Sequence, residues 1–295
     1  MRKRPGFGSL LIIGGHEDKE NDKVILRMLV KKVGKSGKIV VATIASEEPN
    51  AMFNDYERTL RGLGMRHVHH LEIESREEAQ LESKIRILND ADAVFFSGGD
   101  QLKITSQIGD TPIFSKVHQI FEAGGLIAGT SAGASVMTET MLVSGSGKES
   151  YKIGSLLQMA PGLGLLQGVI VDQHFAQRGR IGRLLGAVAQ NPRMLGIGLD
   201  EDSAILVQRG RFQVLGSNAV HVVDGSRVTF SNITEAEPNS SLCIYGVRLH
   251  VLNQSDTFDL KNRRPHYHHE TKVRELIGLE EKESKSGRRM VAAAS

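Results

Sequence analysis

The chain of 295 residues carries 37 basic and 34 acidic residues, and its formal net charge at pH 7 is +3. This near balance, with 5% aromatic residues and no tryptophan, argues against nucleic acid as a partner. The only cysteine, Cys243, excludes an intramolecular disulfide, and the apolar run around it predicts a buried core position. We find no secretory signal and no apolar segment of about 20 residues, so the sequence predicts a soluble, intracellular protein.

Apolar runs alternate with amphipathic stretches through the first half of the chain. The apolar runs predict strands at 9–13, 38–44, 67–71, 93–97 and 126–130, and the amphipathic stretches predict helices at 22–33, 52–63, 77–88 and 112–123. Strands that are almost wholly apolar indicate a mostly parallel sheet with helices on both faces, which is an α/β fold. Ligands in such folds bind beyond the carboxyl ends of the strands.

The pattern changes in the second half. Glycine and polar residues over 144–168 predict a long irregular connection, which is followed by strands at 168–173 and 195–199 around a helix at 178–190. Apolar runs at 204–207, 212–215 and 219–223 predict antiparallel hairpins, and another strand is expected at 241–252. We therefore predict a single α/β domain over 1–260 and a charged C-terminal extension over 261–295 that is partly disordered.

A possible nucleophile lies where the strand at 126–130 ends. The run Gly129-Thr130-Ser131-Ala132-Gly133 follows apolar residues and precedes small ones, so we expect a sharp strand-to-helix turn with Ser131 at its apex. Such a turn lifts the hydroxyl clear of the backbone, and the glycines allow the strand and helix to approach closely. The alternative is an ordinary turn in which Ser131 caps the helix.

A nucleophilic serine needs a base, and His174 is the best placed of eleven histidines. It follows a predicted strand whose end we place on the same sheet edge as Ser131, although an ordinary loop histidine is the alternative. A base of this kind needs a carboxylate partner. Glu201, directly after a strand, is favoured over Glu149 in the glycine-rich loop, because a strand end is held more rigidly. The histidines near the C-terminus lack a further ligand in fixed geometry, and we predict no metal site.

Two further groups could complete a site. The backbone amides of Gly99 and Ala132 are the predicted oxyanion donors, although a tight strand-to-helix turn would need the same glycine. Three arginines at 178, 180 and 183 open a predicted helix, where positive charge opposes the helix dipole. Since guanidinium groups bind carboxylates in a bidentate manner, this cluster suggests a substrate with several carboxylates. The alternative is a solvated basic face.

Four motifs occur in a fixed order: Gly-Gly-Asp-Gln at 98–101, Gly-Thr-Ser-Ala-Gly-Ala at 129–134, Asp-Gln-His-Phe at 172–175 with the three arginines, and Gly-Leu-Asp-Glu-Asp-Ser-Ala at 198–204. Together they resemble the cyanophycinase family, serine peptidases related to the aspartyl dipeptidases, over about residues 9–252. The resemblance implies a fold like that of the class I glutamine amidotransferases. It implies Ser131 as nucleophile, His174 as base and Glu201 as acid, with Glu149 as an alternative acid. The positions that match the family's substrate pocket are Gln101, Asp172, Gln173, Arg178, Arg180 and Arg183.

The family's substrate is cyanophycin, a poly-aspartate chain that carries an arginine on each side-chain carboxyl, and the product is the β-Asp-Arg dipeptide. The resemblance implies no metal or organic cofactor and a cytoplasmic homodimer. The arginine cluster would then bind the free carboxylates of the substrate, and Asp172 would meet a guanidinium. Two other functions stay open: a dipeptidase acting on aspartyl or other acidic peptides, and a non-catalytic binding protein on the same scaffold. We expect neither nucleic acid nor a membrane as a partner.

Overall fold

The computed structural model describes residues 7–144, 157–235, 237 and 240–267. Its strands are β1 Ser9–Ile13, β2 Lys38–Ala42, β3 His67–Leu71, β4 Ala93–Phe96, β5 Leu126–Thr130, β6 Thr140–Ser144, β7 Gln158–Pro161, β8 Val169–Gln173, β9 Leu195–Leu199, β10 Ser203–Gln208, β11 Arg211–Gly216, β12 Val220–Asp224, β13 Phe230–Ser231, β14 Ile244–Tyr245, β15 Arg248–Leu252, β16 Thr257–Asp259 and β17 Arg264–His266. Its α-helices are α1 Val24–Val33, α2 Pro49–Gly62, α3 Glu82–Ile87, α4 Gln101–Ile108, α5 Pro112–Glu122, α6 Ala132–Ser135 and α7 Ile181–Gln190.

The largest sheet has nine strands in the order β17-β16-β11-β10-β1-β5-β4-β2-β3. Strands β1 to β5 pair in parallel, and the four C-terminal strands extend the sheet in antiparallel pairs. Strand β5 is fully buried because it lies inside the sheet with both faces covered. The predicted α/β fold with added antiparallel strands is therefore confirmed.

Two layers cover this sheet. Neighbouring residues of a strand point to opposite faces, so Leu11 and Ile13 of β1 pack under α1 and α2. Leu10 and Ile12 face the other way, into a core that α5 and a second sheet complete. Helix α7 lies on the outer face of that second sheet. The order of layers is thus helices, the nine-stranded sheet, a mixed layer of helix and sheet, and a final helix.

The second sheet corrects the expected surroundings of His174. Strands β8 and β9 pair in parallel and join β12 and β15 in a separate four-stranded sheet. Strand β12 pairs with β9 and β15, so it does not continue the hairpin of β10 and β11 as predicted. Ser131 and His174 therefore belong to two sheets and not to one edge. An apolar pattern predicts that a strand is buried, but it does not identify the neighbouring strand.

Several predicted boundaries also change. The predicted helix at 77–88 is divided, since Leu81 is extended between a 3₁₀ turn and α3. The connection predicted at 144–168 contains β7, which pairs with β6. The strand predicted at 241–252 is split into β14 and β15, which lie in different sheets, and Cys243 is only half-buried.

The folded unit extends beyond the predicted boundary at residue 260, because β17 pairs with β16 in the main sheet. Arg263, at the start of this extension, donates to Asp224 at 2.6 Å. Among the described residues, no helix has the length and apolar character needed to cross a membrane.

Candidate active site

Ser131 stands at the turn between β5 and α6. Its backbone angles are φ 53° and ψ −111°, a conformation that residues with side chains rarely adopt. A Cβ atom added at Gly129 would lie 2.4 Å from the carbonyl oxygen of Gly133, and one added at Gly133 would lie 2.2 Å from that of Phe96. The predicted strand, sharp turn and helix are thus confirmed. Because α6 has only four residues, its dipole is small, and negative charge next to Ser131 would be stabilised mainly by the amide at the start of the helix.

Three side chains form a continuous hydrogen-bonded relay. Ser131 Oγ lies 2.9 Å from His174 Nε2, and His174 Nδ1 lies 2.7 Å from Glu201 Oε1. With its Nδ1 proton donated to the carboxylate, the imidazole keeps Nε2 free to accept the proton of the serine hydroxyl. The structure therefore brings Ser131, His174 and Glu201 together. Glu149 lies outside the described residues.

The backbone just after β1 joins the two sheets at this relay. The His174 amide donates to the Gly14 carbonyl at 2.8 Å, which fixes the end of β8 against the end of β1. A Cβ atom added at Gly15, where φ is +104°, would lie only 2.3 Å from Cε1 of His174. Gly15 therefore leaves the space that the imidazole of His174 occupies.

Replacement of Gly15 by alanine is expected to lower kcat by about 10²-fold, because a displacement of about 1 Å at a reacting group has an effect of this size. The added methyl group must push the His174 ring away from Ser131. Steady-state kinetics on the purified variant measure the loss. Gly210→Ala is the matched control, since Gly210 also has a positive φ (+73°) but nothing lies within 4 Å of its added Cβ. Equal losses in the two variants would contradict this role of Gly15.

The turn that carries Glu201 is fixed by hydrogen bonds of the residues on either side of it. The carboxylate of the preceding residue, Asp200, accepts the Ala176 amide at 3.0 Å, and that of the following residue, Asp202, accepts the Asp18 amide at 2.9 Å. These bonds join the turn after β9 to the turn after β8 and to the loop after β1.

His16 was not predicted from the sequence as part of this site. Its Nδ1 lies 2.8 Å from Glu201 Oε1, the same oxygen that His174 contacts, and the two imidazole rings meet edge to face at 5.2 Å. The one available signal was its position just beyond the carboxyl end of β1, where ligands of parallel sheets bind.

These contacts shift the titration of both groups. Burial lowers the pKa of His174 below its ordinary value of 6.5, and the charge of Arg178 acts in the same direction, whereas the hydrogen bond to Glu201 opposes them. The hydrogen bond with His16 lowers the pKa of Glu201, and the bond with His174 adds to this, against the effect of burial. At neutral pH the relay therefore has an ionised carboxylate and a neutral imidazole, the state that a general base requires.

The relay opens into a cleft of about 540 Å³. Its walls come from the loop after β1, from α2 and from the turns that follow β4, β5 and β8. Glu17 is buried there and accepts hydrogen bonds from Tyr56 at 2.5 Å and from Thr130 at 2.7 Å. Lys19 and Arg178 place positive charge on the same walls. The cleft thus carries charges of both signs around the serine.

The structure separates the three predicted substrate-binding arginines. Arg178 is exposed and lines the cleft. Arg180 and Arg183 are buried, and both donate to the buried carboxylate of Asp172, at 3.1 Å for Arg180 Nη1 and 2.6 Å for Arg183 Nε. Burial lowers the pKa of Arg180 to about 10, so its guanidinium stays charged at neutral pH. Asp172, Arg180 and Arg183 thus bind one another in the interior, and their predicted contacts with substrate gain no support from these positions.

The two predicted glutamines also have internal partners. Gln173 is buried, and its Oε1 accepts from Arg180 at 2.5 Å. Gln101 donates its amide hydrogens to the carbonyls of Leu142 and Val143, at 3.1 and 3.2 Å. Gln101 therefore anchors β6, which leads into the part of the chain that contains Glu149.

The predicted oxyanion donors lie beside the serine. Gly99 lines the cleft, and a Cβ atom added at Gly98 would lie 3.4 Å from that of Ser131. Ala132 is the first residue of α6, where a backbone amide has no acceptor in a preceding helical turn. The assignment of the Gly99 and Ala132 amides stays a prediction.

Comparisons with known proteins identify the family of this chain. The family model of peptidase family S51 matches residues 10–215. The cyanophycinase of Trichormus variabilis is 40% identical over 258 residues, which cover 86% of this chain and 86% of that protein. The cyanophycinase of Synechococcus elongatus is 36% identical over 260 residues, which cover 87% of this chain and 80% of that protein.

A solved structure shares the fold. The crystal structure of a peptidase from an acI-B1 Actinobacterium superposes with a TM-score of 0.62 at 21% identity, over 86% of this chain and 97% of that one. On the match of the family model and the similarity to these relatives, the chain belongs to peptidase family S51.

Proposed function

We propose that this chain is a serine exopeptidase that hydrolyses cyanophycin to β-Asp-Arg dipeptides. The observation that carries the proposal is the relay from Ser131 through His174 to Glu201, with distances of 2.9 and 2.7 Å. The similarity to cyanophycinases over most of the chain supports the choice of substrate. Family membership and relay together disfavour a non-catalytic binding protein.

In the first half of the proposed reaction, Ser131 Oγ attacks a backbone carbonyl carbon of the substrate. Its proton passes to His174 Nε2, and the carboxylate of Glu201 stabilises the imidazolium that forms. The negative charge on the carbonyl oxygen is met by the amides of Gly99 and Ala132. The intermediate then collapses: the C–N bond breaks, the leaving amine takes the proton from His174, and an acyl-enzyme remains on Ser131.

In the second half, water attacks the acyl-enzyme. His174 accepts a proton from this water and returns it to Ser131 Oγ as the ester bond breaks, which releases the free carboxylate product. Gly15 and the Gly14 carbonyl keep the imidazole in place for both halves. The chain thus ends the cycle in the state in which it began.

Substrate recognition is assigned to the charged walls of the cleft. Each arginine of cyanophycin carries a free carboxylate and a guanidinium. The exposed Arg178 is suited to the carboxylate, since guanidinium groups bind carboxylates in a bidentate manner. The loop after β1 supplies acidic groups on the same walls, including Asp18 and Glu20, which suit the guanidinium. Asp172 is no longer part of this assignment, because it is fully buried.

Replacement of Glu201 by glutamine is expected to lower kcat by about 10³- to 10⁴-fold, because the amide cannot hold the imidazole in the correct tautomer or stabilise the imidazolium. Glu149→Gln is the matched comparison, and we expect it to keep kcat near that of the unmodified chain. Initial rates of β-Asp-Arg release measure both. If instead only Glu149→Gln lowered kcat strongly, the acid of the relay would be Glu149 and not Glu201.

The pH profile should report the lowered pKa of His174. The base must be neutral, so kcat/KM should fall as the pH drops through that pKa, and this limb should lie below pH 6.5. Arg178→Gln removes a positive charge that lowers the pKa of His174, so the limb should move to higher pH. Arg86→Gln changes an exposed residue of α3 away from the cleft and should leave the limb in place. A shift to lower pH with Arg178→Gln would contradict the assignment.

A comparison of substrates tests the proposed function itself. Purified protein is incubated in parallel with insoluble cyanophycin and with a set of Asp-X dipeptides, and the soluble products are identified by mass. We expect β-Asp-Arg from cyanophycin and little cleavage of the dipeptides. Efficient cleavage of the dipeptides alone would instead favour a peptidase for short aspartyl or acidic peptides.

We also propose a cytoplasmic homodimer, on the family resemblance alone. Light scattering coupled to size-exclusion chromatography measures the mass in solution. A mass of one 32.2 kDa chain would contradict the dimer.

A further inference from the structure

Glu201 Oε1 lies between two imidazoles. His174 Nδ1 approaches this oxygen at 2.7 Å and His16 Nδ1 at 2.8 Å. Each of the three residues offers one ligand atom, and these atoms all lie within 4.8 Å of one another. Two imidazole nitrogens and one carboxylate oxygen form a protein ligand set that zinc uses with a fourth, open position. The reaction proposed above needs only one of the two imidazoles, so His16 is unexplained by it.

We propose that His16, His174 and Glu201 form a binding site for a divalent transition-metal ion of the zinc type, and that the bound ion inhibits the peptidase. The inhibition rests on the proposed function, whereas binding of the ion does not.

The geometry needs a small adjustment to accept an ion. Zinc bonds to nitrogen of about 2.0–2.1 Å in a tetrahedron place ligand atoms roughly 3.3 Å apart, so the present contacts must widen by about 0.5 Å. The side chain of His16 is 74% exposed, whereas that of His174 is 5% exposed. His16 is therefore the ligand that can move, and the cleft in which it stands gives the ion a route from solvent.

Binding at this position would disable the base without displacing it. A neutral imidazole that gives Nδ1 to a metal carries its proton on Nε2, so the tautomer of His174 is reversed. The nitrogen that faces Ser131 Oγ then donates a hydrogen bond and cannot accept the serine proton. When both imidazoles are neutral, metal binding releases no net proton. Each Nδ1 loses its proton to solvent, and each Nε2 takes one up.

The charged groups around the site are mixed. Arg178 and Lys19 on the cleft walls oppose a cation, whereas Glu17 and Asp18 on the same walls favour it, as does Asp202 beside His16. The carboxylate of Glu201 is the acidic group in direct contact with both imidazoles. The histidines are what select a transition metal over calcium or magnesium, which prefer oxygen ligands.

Metal binding is tested first without activity. The full chain with Ser131→Ala keeps all three ligands, and substitution of the tail histidines (His266→Gln, His268→Gln and His269→Gln) removes incidental binding there. Zinc chloride is titrated by calorimetry, and cobalt(II) chloride is followed by the visible absorption of a tetrahedral complex. We expect one ion per chain and a loss of affinity of at least about 10-fold with His16→Ala or His16→Gln. Equal affinity with and without His16, or no binding, would overturn the proposal.

The second arm uses the active chain with the same tail substitutions. Zinc should inhibit β-Asp-Arg release at the concentration at which it binds, and a chelator should restore the rate. His16→Ala should require at least about 10-fold more zinc for half-inhibition, relative to its own zinc-free rate. Binding without inhibition would overturn the inhibitory role. If the unmodified chain did not cleave cyanophycin, the proposed function would fail, while the binding arm would still decide the site.

Discussion

Replacement of Ser131 by alanine is expected to lower kcat for β-Asp-Arg release by about 10⁴- to 10⁶-fold, because removal of a serine nucleophile has effects of this order. The residue holds a strained backbone conformation with its hydroxyl 2.9 Å from a buried imidazole. Without Oγ no acyl-enzyme can form, and the remaining groups can only position substrate and stabilise charge. The rate is measured as soluble dipeptide released from insoluble cyanophycin.

Two comparisons make this result specific. Ser106→Ala removes an exposed hydroxyl on α4 and should leave kcat unchanged. His174→Ala should cost about as much as Ser131→Ala, and the double variant should cost little more than either, since residues that act as one unit are not additive. A Ser131→Ala enzyme that kept more than about a tenth of the normal rate would contradict a serine nucleophile at this position.

Replacement of Asp172 by alanine is expected to reduce the free energy of unfolding by about 3–5 kcal/mol, because it leaves two buried guanidinium groups without their carboxylate. Asp172 is 0% exposed and accepts from both Arg180 and Arg183. Asp172 is the last residue but one of β8 and lies two positions before His174, so the end of that strand should loosen with it. Urea unfolding followed by circular dichroism measures the change.

A surface ion pair provides the control. Glu57 pairs with Arg61 one helical turn away on α2, and Glu57→Ala should change the free energy of unfolding by about 0.5 kcal/mol or less. If Asp172 instead contacted substrate, its replacement would raise KM and leave unfolding near that of Glu57→Ala. That outcome would restore the substrate contact predicted from the sequence.

Much of the fold followed from periodicity. Apolar runs such as 9–13 and 126–130 matched β1 and β5 in full, because buried parallel strands need little else than apolar residues. The second sheet could not be predicted, since β8 is as fully buried as β5 and its apolar start carries no information on which strand it pairs with. The prediction that residues 219–223 continue the hairpin was wrong for the same reason.

The parts of the site that could be predicted are those whose chemistry allows few residue types. A serine between two glycines, an imidazole at a strand end and a carboxylate after another strand are each recognisable by type and position. The roles of the arginines were not recognisable in this way. The spacing of arginines in a sequence is the same whether a guanidinium reaches substrate or a buried carboxylate such as Asp172. His16 was missed because only folding brings the loop after β1 against Glu201.

The central claim is that Ser131, activated by His174, forms the covalent intermediate. The most direct test is the mass of the intact protein after exposure to a serine-directed phosphonate, followed by mapping of the modified peptide. We expect one adduct per chain, located on Ser131, slowed by cyanophycin and lost in His174→Ala. An enzyme that cleaves cyanophycin yet takes up no adduct at Ser131, or takes it up on another residue, would contradict the account.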